Sequence, residues 1–122
     1  MTKTPFKRID VDAAQNVLAR PNVVVLDSRD AASYEKARIK SAIRLSGANL
    51  EALVSATPKD APVLIYCYKG NGSQVHAQTF ADFGFREVYS LEGGFAGWVN
   101  ARQPVCSAVP PLFSLFDFPR RA

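Results

Sequence analysis

The chain has 122 residues, 48% of them hydrophobic, which suits one globular domain with a single core and argues against a disordered tract. Its formal net charge of +4 is modest, and its nearest approach to a basic run, Lys36, Arg38, Lys40 and Arg44 in "YEKARIKSAIR", falls short of the clustered Lys/Arg with interleaved aromatics that nucleic-acid binding wants. With no apolar stretch of bilayer-spanning length, no secretory leader and two cysteines, Cys67 and Cys106, the expectation is a reduced, cytoplasmic protein with neither nucleic acid nor membrane as partner.

Near the N-terminus, "FKRI" predicts a short strand. "DVDAAQNVLAR" predicts a helix, with Asp12 as its cap and Ala13, Val17 and Leu18 facing inward, stopped by Pro21 and Asn22. "VVVLD" (23–27) is a continuous β-branched and aliphatic run, as in a strand buried on both faces. A short helix is expected from Asp30, a strand in "SAIRL", and a helix in "ANLEALVSA" ended by Thr57 and Pro58. "PVLIY" (62–66) is a second fully apolar strand. The next helix, "SQVHAQTFADFGF", has a wet stripe of Gln74, Gln78 and Asp82 and a dry one of Ala77, Phe80, Ala81 and Gly84, with Gly84 suited to a left-handed cap. "EVYSL" is the last strand, and "EGGFAGWVNA" turns into a helix whose Phe95 and Trp98 pack on the core. Strands alternating with helices predict a parallel α/β sheet covered on both faces. Such sheets bind ligands beyond the carboxyl ends of their strands, where Asp27, Ser28, Arg29 and Cys67 all fall.

The stretch "CYKGNGS" (67–73) then acquires a chemical meaning. A strand ends, a thiol follows, and a small loop leads into a helix near Ser73. Helix N-termini carry unpaired N–H groups and a partial positive charge. A loop with Gly70 and Gly72 can curl its amides inward as an anion cradle, with the sulfur at its lip and Lys69 as a mobile charge at the rim. That field favours the thiolate, the nucleophilic form. A buried inert cysteine is the bland reading; the polar loop shifts the balance to a reactive one. A phosphate ester is one candidate anion, but cysteine phosphatases close the cradle with an arginine in a C-x5-R loop. Here Ser73 holds that sixth position, and no arginine occurs between Cys67 and Arg86.

Together, "VVVLDSRD…SY", "LIYCYKGNGS" and "VYSLEGGFAGW" resemble the rhodanese family, or thiosulfate sulfurtransferases, and most of all its short single-domain members. The resemblance runs from about Phe6 to Pro104 and implies a single domain over residues 1–105, built on a five-stranded parallel sheet flanked by helices, with an apolar tail over 106–122. It also implies a two-step reaction in which the Cys67 thiolate takes the outer sulfur of thiosulfate and passes it from a persulfide to cyanide, a small thiol or a protein dithiol. The amides of Tyr68, Lys69, Gly70, Asn71, Gly72 and Ser73 would surround the sulfur. No metal or organic cofactor is required. The chain departs from the family in reading Ala37, Arg38, Ile39, Lys40, Ser41, Ala42 where many members have Gly-His-Ile-Pro-Gly-Ala, so that turn must be built differently. Lys69 replaces a histidine common in the short subgroup, so the pH dependence of anion binding should differ.

His76 is the only histidine, and a plain helix position is favoured over a general base. Asp27 and Arg29 read as an ion pair behind the site rather than as catalysts. Ser73 is a candidate helix cap whose hydroxyl could touch the anion. Cys106 reads as a bystander rather than a sulfur relay. The tail "VPPLFSLFDFPRRA" packs on its own domain or docks onto a partner or second copy. Two rival functions remain: a Cys-dependent phosphatase or arsenate reductase, and a non-catalytic binding module.

Overall fold

The computed structural model describes residues 6–107. At its centre lies strand β4 (Val63–Tyr66), four apolar residues that are all buried. A strand sends alternate side chains to opposite faces, so Val63 and Ile65 enter one core cluster while Leu64 and Tyr66 enter another. Around β4 are β1 (Lys7–Ile9), β2 (Val24–Asp27), β3 (Ile43–Arg44) and β5 (Val88–Leu91). The order is β1-β5-β4-β2-β3 and every adjacent pair is parallel. Parallel neighbours need crossover connections, which the helices supply: α1 (Val11–Leu18), α2 (Ala31–Lys36), α3 (Leu50–Ala56) and α4 (Gly72–Asp82), with α5 (Gly94–Asn100) following the last strand.

The helices divide between the two faces. Ala14 and Val17 of α1 and Phe95 and Trp98 of α5 pack with Val25, Leu64, Tyr66 and Leu91. Val54 of α3 and Ala77, Phe80 and Ala81 of α4 pack with Leu26, Val63, Ile65 and Val88. The expected α/β architecture is thus present. Ala77, Phe80 and Ala81 of the expected dry stripe are buried, whereas Gly84 lies past the end of α4 and is exposed, at φ +94°.

Two details differ from expectation. Helix α1 is capped by Asp10, whose carboxylate accepts from the Ala13 amide at 2.8 Å, rather than by Asp12, which lies in the first turn. The helix therefore begins at Val11, and its inward face runs through Ala14 and Val17 while Ala13 and Leu18 flank it. The turn after α2 has no glycine over 37–42 and puts Ser41 at φ +69°. The Tyr34 hydroxyl donates to the Ala42 carbonyl at 2.6 Å, and the Ala42 amide to Ile39 at 3.0 Å, which holds the turn closed.

Just before this turn, Arg38 forms an antiparallel bridge with Cys106, with N···O distances of 2.8 and 2.7 Å. Of the tail expected over 106–122, only Cys106 and Ser107 are among the described residues.

Candidate active site

Because β4 ends at Tyr66, Cys67 is the first residue past the carboxyl edge of the central strand. Here the sheet's connections diverge, from β4 outward to β5 and from β2 outward to β3, which opens a crevice at the strand ends. The Cys67 side chain is half-buried, and the Gly70 amide turns back to donate to its Sγ at 3.0 Å. Gly70 does this at φ +97°, and a Cβ there would stand 2.9 Å from the Gly93 nitrogen, so glycine is required twice over.

Burial is the largest influence on the Cys67 thiol and pushes its pKa up. Against it act the Ser73 hydroxyl and the amides of Ser73, Gly70 and Lys69, of which the Gly70 amide is hydrogen-bonded to the sulfur. Their sum prevails, and the thiol sits below its ordinary pKa. The thiol is thus partly open to solvent and shifted toward its thiolate, the form in which a cysteine acts as a nucleophile.

Ser73 differs from expectation in one respect. Helix α4 begins at Gly72, with Asn71 in the cap position and making no side-chain cap bond, so Ser73 falls inside the first turn. There it is buried, its hydroxyl 2.8 Å from that of Ser90 on β5. Gly72 also has a different role from the one read for it. Its φ is not positive, and a Cβ would meet only the Cys67 Cβ at 4.0 Å, so the curl of the loop rests on Gly70 alone.

The turn between β5 and α5 forms the other wall. Gly93 and Gly94 have φ +79° and +58°. They bring the first amides of α5 under the active loop, where Phe95 donates to the Cys67 carbonyl at 2.8 Å and Ala96 to the Tyr68 carbonyl at 2.9 Å. A Cβ on Gly94 would lie 2.6 Å from the Cys67 carbonyl oxygen. The sequence reading placed Phe95 in the core and missed this support for the loop; the paired glycines before Phe95 were the available signal.

Behind the site, Asp27 and Arg29 form a buried pair. The Asp27 carboxylate accepts from the Arg29 amide at 2.8 Å, from its Nε at 3.0 Å and from its Nη2 at 2.6 Å. Nη2 also donates to the Ala37 carbonyl at 2.6 Å, and the guanidinium lies 3.9 Å over the Phe95 ring. The Tyr66 hydroxyl accepts from the Ile39 amide at 3.1 Å; burial above all, and then Asp27, hold its pKa far above the usual phenol value.

Tyr68, Lys69 and Asn71 are exposed on the loop, and Ser28 is tied to the Tyr66 carbonyl by its amide at 2.9 Å. His76 is half-buried on α4, with no hydrogen bond to Cys67 among the described residues. Cys106 is exposed and borders a cleft of about 590 Å³ with Val23 and Trp98; no residue of the active loop lines that cleft. A smaller cleft of about 330 Å³ borders the loop itself. No helix among the described residues is long and apolar enough to cross a membrane.

A parallel sheet with a loop-cradled cysteine at the end of its central strand defines a class of domain, and comparison with known proteins agrees. The sequence profile of the rhodanese-like domain matches residues 10–101, and the chain belongs to that family. The thiosulfate sulfurtransferase GlpE of Coxiella burnetii is 41% identical over 103 residues, which covers 84% of this chain and 95% of that protein. In solved structures, the rhodanese-like domain of an Anabaena protein matches with a TM-score of 0.71 at 21% identity, covering 88% of this chain and 80% of that one. A Rhodopseudomonas palustris protein described as of unknown function and a possible tyrosine phosphatase matches with a TM-score of 0.71 at 27% identity, covering 83% of this chain and 85% of that one.

Proposed function

We propose that this protein is a thiosulfate sulfurtransferase that works through a persulfide on Cys67. The observation that carries the reading is the half-open Cys67 sulfur held by the Gly70 amide at 3.0 Å, with a lowered pKa, at the edge of the central strand. A relative named for that activity, 41% identical and covered over 95% of its length, supports it. The thiolate attacks the outer sulfur of thiosulfate, the S–S bond breaks, and sulfite leaves with the bonding pair. The remaining Cys67–S–S⁻ is stabilised by the same amides that held the thiolate. A cyanide ion or thiolate then attacks the outer sulfur and Cys67 leaves as thiolate, so the cycle needs no added oxidant or reductant. Tyr68, Lys69, Gly70, Asn71, Gly72 and Ser73 bind the anion, with Lys69 supplying charge at the rim and Asp27 and Arg29 bracing the wall behind. A reducing compartment such as the cytoplasm suits a free thiolate.

The phosphatase reading has one structural neighbour in its favour. The loop speaks against it, since no arginine occurs in 67–73 and Arg29 already spends its guanidinium on Asp27 and Ala37. Mass spectrometry after incubation with thiosulfate decides the matter. One sulfur atom is expected on Cys67, removed by cyanide, absent in Cys67→Ser and undiminished in Cys106→Ser. An unloaded wild-type protein that hydrolyses an aryl phosphate would reverse the assignment.

A further inference from the structure

The cleft of about 590 Å³ lies between the end of α1, the start of β2 and the chain that follows α5, and no residue of the active loop lines it. Leu18, Pro21, Val23, Ile39, Trp98 and Pro104 give it apolar walls. An open hollow of this size and lining marks a surface that something covers. We propose that its occupant is the apolar stretch 112–118 of the same chain, folded back from Ser107. This holds independently of the sulfurtransferase reading.

The path of the chain leads there. After α5 the Trp98 Nε1 donates to the Pro104 carbonyl at 2.9 Å, and Cys106 exchanges two backbone hydrogen bonds with Arg38. These contacts hold the chain along the edge of the cleft, which Pro104 and Cys106 themselves line. Residues 108–122 therefore start at its rim. An extended chain covers about 3.3 Å per residue, so about ten residues past Ser107 reach about 33 Å. That is more than twice the radius of gyration of a 100-residue domain, about 13 Å, and leaves no part of the cleft out of reach.

Composition matches the walls. Leu112, Phe113, Leu115, Phe116 and Phe118 are large apolar side chains that favour burial over water. Charge agrees as well. Asp117 is the only carboxylate side chain in 108–122, while Lys40 borders the cleft, is exposed and has no ion pair among the described residues. Arg20, which also lines the cleft, is committed to Glu87.

The tether selects the tail of the same chain. A segment attached at the rim has an effective concentration on the order of millimolar, far above that of a second copy in dilute solution. Seated there, the tail covers Ile39, whose amide donates to the Tyr66 hydroxyl at 3.1 Å, and braces the turn after α2. The rhodanese-like profile ends at residue 101, so the tail and the wall at Gln103, Pro104 and Cys106 lie outside the matched domain.

Cys106, exposed and on the cleft, is the reporter. The full-length native protein at micromolar concentration is treated with iodoacetamide, and alkylation of Cys106 and of Cys67 is followed separately by peptide mass spectrometry. In the double variant Phe113→Ser/Phe116→Ser, Cys106 is expected to react about tenfold faster than in wild type, with the Cys67 rate unchanged. The same variant should lower Tm by about 8 °C. Leu18→Ser on the cleft wall should also speed Cys106, but add nothing further in the tail variant, since both remove one contact. Equal Cys106 rates in wild type and tail variant overturn the proposal. Acceleration of both cysteines in the same proportion places the tail elsewhere and overturns it too. Cys106 protection that fades on dilution, in step with a dimer dissociating in sedimentation, assigns the cleft to the tail of a second copy and overturns the same-chain assignment.

Discussion

Ser73 joins the two halves of the site at the scale of single groups. Its hydroxyl lies 2.8 Å from that of Ser90, so one buried side chain ties α4 to β5, and it also helps to lower the Cys67 pKa. Removing it in Ser73→Ala takes a donor from the thiolate and none from the thiol, so the Cys67 pKa must rise. The rate of iodoacetamide alkylation against pH should then show its midpoint moved upward and a slower reaction at neutral pH. An unmoved midpoint would mean that the amides of Gly70, Lys69 and Ser73 suffice. The same variant leaves the buried Ser90 hydroxyl short of a partner, at a cost of about 1–3 kcal/mol. A lowered thiol pKa is also a stability contribution, present above the ordinary thiol value and lost as pH falls through the depressed one.

Among the elements, the turns carry the departures from pattern. Backbone meets backbone where the loop after β4 lies on the start of α5, and the short distances from a notional Gly94 Cβ leave no room for any other residue there. At the turn after α2 the chain instead tolerates strain, with Ser41 at φ +69° in a region that costs a non-glycine residue about 1 kcal/mol or more. Ser41→Gly relieves that strain but adds unfolded-state entropy, leaving a net gain of roughly 0.5 kcal/mol and a Tm higher by about 3 °C. Thermal unfolding measures this, and a lower Tm would show that Ser41 is held at no cost. The strands and helices themselves were legible in the sequence because apolar runs and periodic stripes are local properties. The cap of α1 was legible only to within two residues, because Asp10 and Asp12 are equally good caps until the helix has a defined start.

For the molecule as a whole, the Asp27–Arg29 pair ties β2 to the turn after α2, with the guanidinium 5.6 Å from the centre of the Tyr66 ring of β4. Both side chains are almost wholly buried, so the pair is better judged by what its loss would do than by its own net worth. Asp27→Asn keeps the shape and leaves the Arg29 cation buried without its counter-charge. Urea denaturation should show a loss of about 3 kcal/mol, within the range for breaking such a pair. A loss below about 0.5 kcal/mol would mean that the interior around Arg29 is wetter than its burial indicates. Since Arg29 also lines the cleft of about 330 Å³ that Tyr68 borders, the same pair links the stability of the domain to the shape of that cleft.

By itself the sequence determined the alternation of elements, the parallel sheet, the place of Cys67 at the end of a strand and the pairing of Asp27 with Arg29. Each follows from residues close together in the chain, where periodicity, helix-end electrostatics and a strand's carboxyl edge can be reasoned locally. Tertiary structure alone decided that the Gly70 amide turns back to the sulfur, that Gly93 and Gly94 bring the amides of Phe95 and Ala96 under the loop, and that Ser73 answers to Ser90. Those contacts join segments that lie far apart along the chain. Their geometry comes from how the sheet packs its helices, which no single segment encodes.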